Sequence, residues 1–307
     1  MDTDIFRRFL AVVECGSLNK AAQVLNVSQP ALSKSVQQLE EHFGVPLLYR
    51  GAQGISPTDY GSFLVERFKL LHNEMGLIQQ EMQALSARAR RRVTVGAPPG
   101  LGYVSSLLVK ATTTLCAGRH PLAIDVRIGG KKALLPLLRT GEIDLLLAEM
   151  SSDAETEGLV QEVLFSDQHT LAIRNGHPLA HLERLGLEDL MAYPWIVGRD
   201  SEGVADQLLS LATSQGLNVE PISIVRSESS LYIGSVVANS EFIGIVTADS
   251  LELGILTETF RRFWVDGRKN APTPQPSRNL GVIFRSEESL PLAGRSLLRE
   301  LRLGRRV

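Results

Sequence analysis

Cysteine is almost missing from this chain. Cys15 and Cys116 are the only two in 307 residues, and they stand 101 positions apart. So few thiols exclude a disulfide framework and fit a reducing compartment. Each is expected to act as a small buried hydrophobe. Apolar runs near the ~18 residues needed for a membrane span are also lacking. The start, MDTDIFRRFL, is acidic and then amphipathic. It has neither the basic opening nor the apolar middle of a secretory signal, so a cytoplasmic protein is expected. Catalytic signatures are absent too: no G-x-S-x-G elbow, no P-loop, and in GAPPGLG (96–102) the wrong glycine spacing for a dinucleotide fold. No carboxylate pair or nucleophile–base pair stands out by spacing. His169, His177 and His181 lie close in sequence, but HPLAH reads as a surface turn without a nearby cysteine. The chain is therefore expected to be no enzyme and to carry no cofactor and no metal.

What is present begins with size and charge. A chain this long exceeds one small core and implies two or three domains. Residues 1–92 hold 11 Lys/Arg against 9 Asp/Glu, whereas the remainder holds 21 against 25. The front is mildly basic and the rear acidic, which points to an anionic partner at the front.

Residues 1–58 read as short helices. Ile5, Phe6, Phe9, Leu10 and Val13 mark an amphipathic helix ended by Gly16. Ser17 caps a second helix with Leu18, Ala21, Ala22 and Leu25 on its apolar face. After a tight turn at Asn26-Val27, Ser28 caps a third, with Pro30 in its first turn where a missing N–H costs nothing. Leu32, Val36 and Leu39 form one stripe of that helix. The other carries Gln29, Ser33, Lys34 and Gln37, with no acidic side chain before Glu40. A short turn between two such helices makes a helix-turn-helix, at about residues 18–37, whose second helix can enter a major groove. There Gln29 can pair with adenine edges, Ser33 is permissive, and Lys34 can reach guanine or a phosphate. VPLLYRGAQGISPT (45–58) reads as two short strands around a turn, a wing.

In residues 59–92, Leu64, Phe68, Leu71, Met75, Ile78, Met82 and Leu85 alternate four and three apart. That spacing predicts a coiled-coil seam on one long helix, with self-pairing as the simplest way to cover it. Arg88, Arg90, Arg91 and Arg92 are expected to close that helix. From residue 93 strands and helices alternate: RRVTVGA, IDVRIGG, IDLLLAEM, HTLAIR, PWIVG, PISIVR, FIGIVTA and NLGVIFR read as strands. The alternation predicts open, mostly parallel α/β sheets, which bind ligands beyond their strands' carboxyl ends. The Pro-rich APTPQPS (271–277) precedes a last strand and helix that return the chain to the first sheet.

The run FLAVVECGSLNKAAQVLNVSQPALSKSVQQLEEHFGVPLLYR, followed by a long helix, resembles the winged helix-turn-helix of LysR-type transcriptional regulators. GEIDLLLAE, LFSDQHTLAIRNGHPLA and LEDLMAYPWIV sit where that family has its effector domain. YPWIV with ANSEFIGIVTADS is similar to the subgroup around a galactose-binding-protein regulator. The resemblance implies an α+β multidomain chain. Its parts would be a DNA-binding domain (1–58), a dimerising linker helix (59–92) and an effector domain (93–307) of the periplasmic-binding-protein kind. Lobe I would span about 93–163 and 268–302, and lobe II about 164–267. Implied partners are double-stranded DNA, a small-molecule effector, further copies in a homodimer or homotetramer, and RNA polymerase, with no membrane.

Departures from the family pattern bear on the wing. Lys34 stands where arginine is usual, giving a point-charge contact instead of a bidentate one. GAQG supplies no basic residue after Arg50, and ISPTDYG keeps Thr58 but adds Asp59. Wing contacts are expected to rest on Arg50 and Thr58, with Ser17 and Ser28 beside phosphates. Candidate effector contacts are Pro99, Gly100 and Leu101, then Gly130 and Lys131 at helix starts, then Arg199, Ser201, Ser229 and Thr247 at strand ends. Each of these is equally an ordinary turn or cap taken singly. Two rival readings stay open: a redox-sensing regulator of the same architecture, and a solute-binding protein that touches no DNA.

Overall fold

The structure is a computed structural model that describes residues 3–51, 54–85, 90–98, 107–118, 121–150, 154–167, 169–183, 185–198, 201–219, 222–247, 260–263 and 278–304. The chain divides into two compact units, residues 1–79 with Arg139–Glu142, and residues 80–138 with 143–307.

The first unit is helical with a small hairpin. α1 (Thr3–Cys15) stops at Gly16, which adopts φ +59. α2 (Leu18–Leu25) begins at Ser17, whose Oγ accepts from the Lys20 N–H, and ends at Asn26 in the left-handed region at φ 53. Asn26 is the only non-glycine with positive φ among the described residues, and it makes the turn of the helix-turn-helix. α3 (Gln29–Phe43) starts at Ser28, carries Pro30 in its first turn and ends at left-handed Gly44. Strands β1 (Leu48–Gly51) and β2 (Gly54–Pro57) pair antiparallel as the wing, and β2 is tied to the α1–α2 turn by the Ile55 N–H on Gly16 O. α4 (Asp59–Leu85) follows. One core unites these parts: Phe9 and Val12 of α1, Ala21 and Ala22 of α2, Leu32, Val36 and Leu39 of α3, and Leu64 and Phe68 of α4.

Leu64 and Phe68 correct the expected seam. At 8% and 6% exposure they face inward and pack in the core of the first unit, and Phe68 lies against Phe6 with ring centroids 3.7 Å apart. Their outward neighbours in the first turns are Tyr60, Phe63 and Arg67, the last over the Phe63 ring at 5.3 Å. From Leu71 onward the seam is exposed as read: Leu71, Met75, Ile78 and Met82 all lie at 50% or more. Leu85 closes the helix. A four-three spacing cannot say which core receives it, and the first two seam positions serve the winged domain.

The second unit holds two five-stranded sheets. The first has the order β4-β3-β5-β12-β6, with β3 (Arg91–Ala97), β4 (Leu122–Ile128), β5 (Leu145–Glu149), β6 (Val160–Asp167) and β12 (Arg278–Phe284). α5 (Val109–Cys116) and α10 (Leu292–Leu303) cover one face through Leu107, Ala111, Leu297 and Leu301. α6 (Lys131–Arg139) covers the other through Leu134, Leu135 and Leu138. The second sheet has the order β11-β7-β10-β8-β9, with β7 (His169–Arg174), β8 (Trp195–Gly198), β9 (Ile224–Ser227), β10 (Ile243–Thr247) and β11 (Phe260–Phe263). α7 (Leu187–Met191) and α8 (Glu202–Ser214) pack on one face and α9 (Ser230–Asn239) on the other.

Three expectations change here. Each sheet combines two parallel with two antiparallel pairings, because one strand in each, β12 in the first and β7 in the second, runs against the other four. β6 keeps pairing with β12 as far as Asp167, so the first sheet extends four residues past the expected lobe boundary at 163. Arg91 and Arg92 belong to β3 rather than to the end of α4, and Arg92 Nε donates to Asp125 Oδ2 at 2.6 Å. Arg88 and the loop 271–277 lie outside the described residues. The last helix is locked on the first sheet by Arg302, which donates to Glu162 on β6 and to Glu287 ahead of α10. These bonds hold the Glu287 carboxyl below its ordinary value and raise the already high Arg302.

Candidate functional site

The first face to consider is the outer side of α3. Burying Leu32, Val36 and Leu39 turns Gln29, Pro30, Lys34 and Gln37 outward into solvent, with Ser33 half-buried at the boundary. Ser28 Oγ accepts from the Ala31 N–H at 3.4 Å, so its hydroxyl serves the helix start. Ser17 does the same for α2. Among the described residues the Lys34 side chain forms no hydrogen bond or ion pair. Gln37 donates to Glu41 Oε1 at 3.0 Å, one turn further on. The exposed Lys34 cation and the exposed Gln29 amide, both in the first two turns of α3, are groups that pair with base edges and phosphates.

The wing differs from expectation at both named residues. Thr58 is 4% exposed, and its Oγ1 donates to Pro46 O at 2.8 Å and accepts from the Gly61 N–H at 3.1 Å. It therefore caps α4 and ties it to the wing's entry, with no hydroxyl left to offer a phosphate. Arg50 is half exposed, but its Nη2 stands 4.0 Å from Glu40 Oε2. The sequence reading missed Glu40 here because it took that residue only as the end of the polar face. It also missed Ser35, which lies on the buried side of α3 and accepts from Arg8 Nη1 at 2.8 Å while donating to Ala31 O. The signal was present: Ser35 shares the inward stripe with Leu32 and Leu39.

The second candidate site lies at the carboxyl edges of the sheets. β3, β4 and β5 run parallel and end at Ala97, Ile128 and Glu149. Gly130 follows β4, and its carbonyl receives the Ala133 and Leu134 N–H groups, so it starts α6, with Lys131 half-buried in the first turn. In the second sheet β8, β9 and β10 run parallel and end at Gly198, Ser227 and Thr247. Ser201 begins α8 at 2% exposure and makes no side-chain cap bond. Ser229 begins α9, with Oγ accepting from Tyr232 and its own N–H donating to Ser227 Oγ. Pro99, Gly100, Leu101 and Arg199 lie outside the described residues.

Antiparallel strands bring further groups to the same edges. His169, first in β7 and 3% exposed, is the register partner of Thr247. Ser166 Oγ donates to Asn279 Oδ1 at 2.7 Å, and the Met150 N–H donates to Asn279 O, beside exposed Glu149. β6 ends and β7 begins with one residue between them, so the chain itself joins the site edge of one sheet to that of the other. Sequence reasoning missed His169 and Asn279 because only strand pairing reveals that an antiparallel strand starts where its neighbours end, and it missed Ser166 because β6 itself was not read as a strand. His177, by contrast, is structural: its Nδ1 accepts from the Leu179 N–H and its Nε2 contacts Glu241 O at 3.0 Å. Cys15 is half-buried in the first unit and Cys116 exposed in the second, both as free thiols.

Comparison with known proteins matches both parts of the chain. Residues 4–62 match the family model for the bacterial regulatory helix-turn-helix protein, lysR family. Residues 86–304 match the LysR substrate binding domain. The chain is 31% identical over 228 residues to the uncharacterized HTH-type transcriptional regulator YdcI of Escherichia coli (strain K12), covering 73% of this chain and 72% of that protein. It is 26% identical over 236 residues to the HTH-type transcriptional regulator TdcA of the same strain, covering 76% and 73%. Its fold matches the crystal structure of full-length CbnR complexed with its target DNA at TM-score 0.60 and 21% identity, over 99% of this chain and 100% of that one. A winged helix-turn-helix followed by two α/β sheets thus coincides with two family models, and the chain belongs to the LysR family of DNA-binding transcriptional regulators with an effector-binding domain.

Proposed function

We propose that this regulator reads duplex DNA with Gln29, Ser33, Lys34 and Gln37 of α3, and that copies pair through the exposed side of α4. A small polar effector, held at the carboxyl edges of the two sheets, then modulates DNA binding or bending. The observation that carries the reading is the outer face of α3, where exposed Lys34 has no partner among the described residues opposite a fully buried stripe. Pairing is supported by Leu71, Met75, Ile78 and Met82, a run of large apolar side chains left in water on one long helix. Two recognition helices would then meet two half-sites on the duplex. A second contact between effector domains would raise the dimer to a tetramer. Regulation would act on RNA polymerase in the cytoplasm, and no catalytic step is assigned to the chain.

For the effector, Gly130, Lys131, Ser201, Ser229 and Thr247 stand at sheet edges together with His169, Ser166 and Asn279. Hydroxyls, an imidazole, an amide and charges of both signs suit a solute rich in hydrogen-bonding groups. Its binding must favour one of two arrangements of the regulator to change the DNA complex. Capture of sheared genomic DNA by the purified protein, at two salt concentrations with sequencing of what is retained, tests the proposal. Enrichment of a few intergenic sites with an interrupted dyad is expected. Retention of random DNA only, vanishing with modest salt, would return the outer face of α3 to an ordinary wet surface.

A further inference from the structure

The geometry points to Glu40 as the residue that sets how strongly the wing grips DNA, by holding the Arg50 charge back from the phosphates. Glu40 sits near the end of α3, where its Oε1 accepts from the Leu47 N–H at 2.8 Å and the Leu48 N–H at 3.2 Å. Its Oε2 stands 4.0 Å from Arg50 Nη2. The two backbone bonds fix the carboxylate to the strand leading into the wing, so the anion stays in place whatever Arg50 does. Among the described residues Arg50 is held at one point only, and 49% of its side chain is exposed, which leaves the guanidinium room to turn outward.

Arg50 is the only Lys or Arg between Lys34 and Arg67. With Thr58 buried as a helix cap, the wing's attraction for a polyanion rests on this one cation. A fixed carboxylate beside it opposes that attraction, because Arg50 must exchange Glu40 for a phosphate on binding. An ion pair this exposed is weak, so Glu40 restrains Arg50 without locking it. Wing and recognition helix then respond differently to DNA. Lys34 meets any duplex freely, while Arg50 joins only where the fit of α3 brings a phosphate close. Glu40 is thereby a determinant of discrimination between cognate and random DNA, although it touches neither.

The test measures the salt dependence of binding to a random-sequence 30-base-pair duplex from 50 to 200 mM salt, for wild type, Arg50→Ala, Glu40→Gln and the double variant. Glu40→Gln keeps an acceptor for the Leu47 and Leu48 N–H groups and removes only the charge, and melting curves check that all four proteins fold. Wild type and Arg50→Ala should share one slope of log affinity against log salt. Glu40→Gln should be steeper by about 0.9 per wing, roughly a threefold larger loss of affinity over that salt range. The double variant should return to the wild-type slope. A shallower slope for Arg50→Ala alone, an unchanged slope for Glu40→Gln, or a steeper slope persisting in the double variant would each overturn the assignment. Retention of no duplex by any folded variant would overturn the recognition-face reading as well, whereas wild-type binding with an unaltered Glu40→Gln slope overturns this inference alone.

Discussion

Lys34 offers one formal charge at the surface of α3, and Gln29 one amide, so their removal should fail in different ways. Lys34→Ala should weaken binding to all duplexes alike and reduce the salt slope by about 0.9. Gln29→Ala should instead relax base choice at one position by roughly 1–3 kcal/mol. Titrations on cognate and single-substituted duplexes separate the two. Gly61 belongs to the same scale. A Cβ there would drive into the Leu47 carbonyl oxygen and press on Pro57, because α4 passes the wing's entry with nothing between them. Gly61→Ala should therefore cost about 1–3 kcal/mol, read from the denaturation midpoint of the protein. At this scale the sequence was a good guide to caps and a poor one to contacts. Ser17, Ser28, Pro30 and Gly44 announce helix ends by their chemistry and do end helices. Thr58 and Arg50 carry the right chemistry for phosphate, but their partners Pro46 O and Glu40 are set by how the hairpin folds back, which no local spacing encodes.

Among the elements, α4 has two roles along one length. Leu64 and Phe68 anchor its start in the winged domain, and from Leu71 its apolar side is uncovered. Ile78→Glu places a charge in the uncovered part and should shift the sedimentation of the protein toward smaller species while leaving its helical content unchanged. Leu64→Glu should instead unfold the DNA-binding unit, since that side chain has no water to meet. The sequence period was right for the helix but silent on this division, as both halves obey the same four-three rule. Strand positions were legible where apolar runs were bounded by turns, as in HTLAIR, which is β7 residue for residue. β6 was not, because VQEVLFSD mixes polar and apolar residues without clean alternation. α10 supplies a pH test. Hydrogen bonding to Arg302 lowers the Glu287 pKa from 4.5, so the folded state binds this proton less readily than the unfolded chain. The stabilisation is thus complete above the ordinary carboxylate value and disappears as pH falls through the lowered one. Arg302→Met should lower the melting temperature at pH 7, and the gap from wild type should close as the pH is taken down through the lowered Glu287 value.

For the whole molecule, the sheet edges proposed for an effector and the α3 face proposed for DNA lie in different units of one chain. Any coupling between them is reciprocal. A solute that raises affinity for the cognate duplex should itself bind more tightly when that duplex is present, by the same factor. Calorimetric titration with and without DNA measures the factor, and a factor of one would mean that the solute does not act through DNA binding. The rooting of α4 has a mechanical consequence for such coupling. Since Leu64, Phe68, Leu32 and Leu39 share one core, α4 and α3 move as a single lever, not as a rod on a swivel. From Asp59 to Gln79 that lever is roughly 30 Å long at 1.5 Å rise per residue. A 10° tilt imposed at its far end travels about 5 Å there, and it reaches the recognition helix as the same angle, undiminished by any joint. When two such levers lie side by side, a small change in their crossing angle resets the spacing and pitch of both reading heads, so the register of the bound half-sites becomes a gauge of what the rest of the chain is doing.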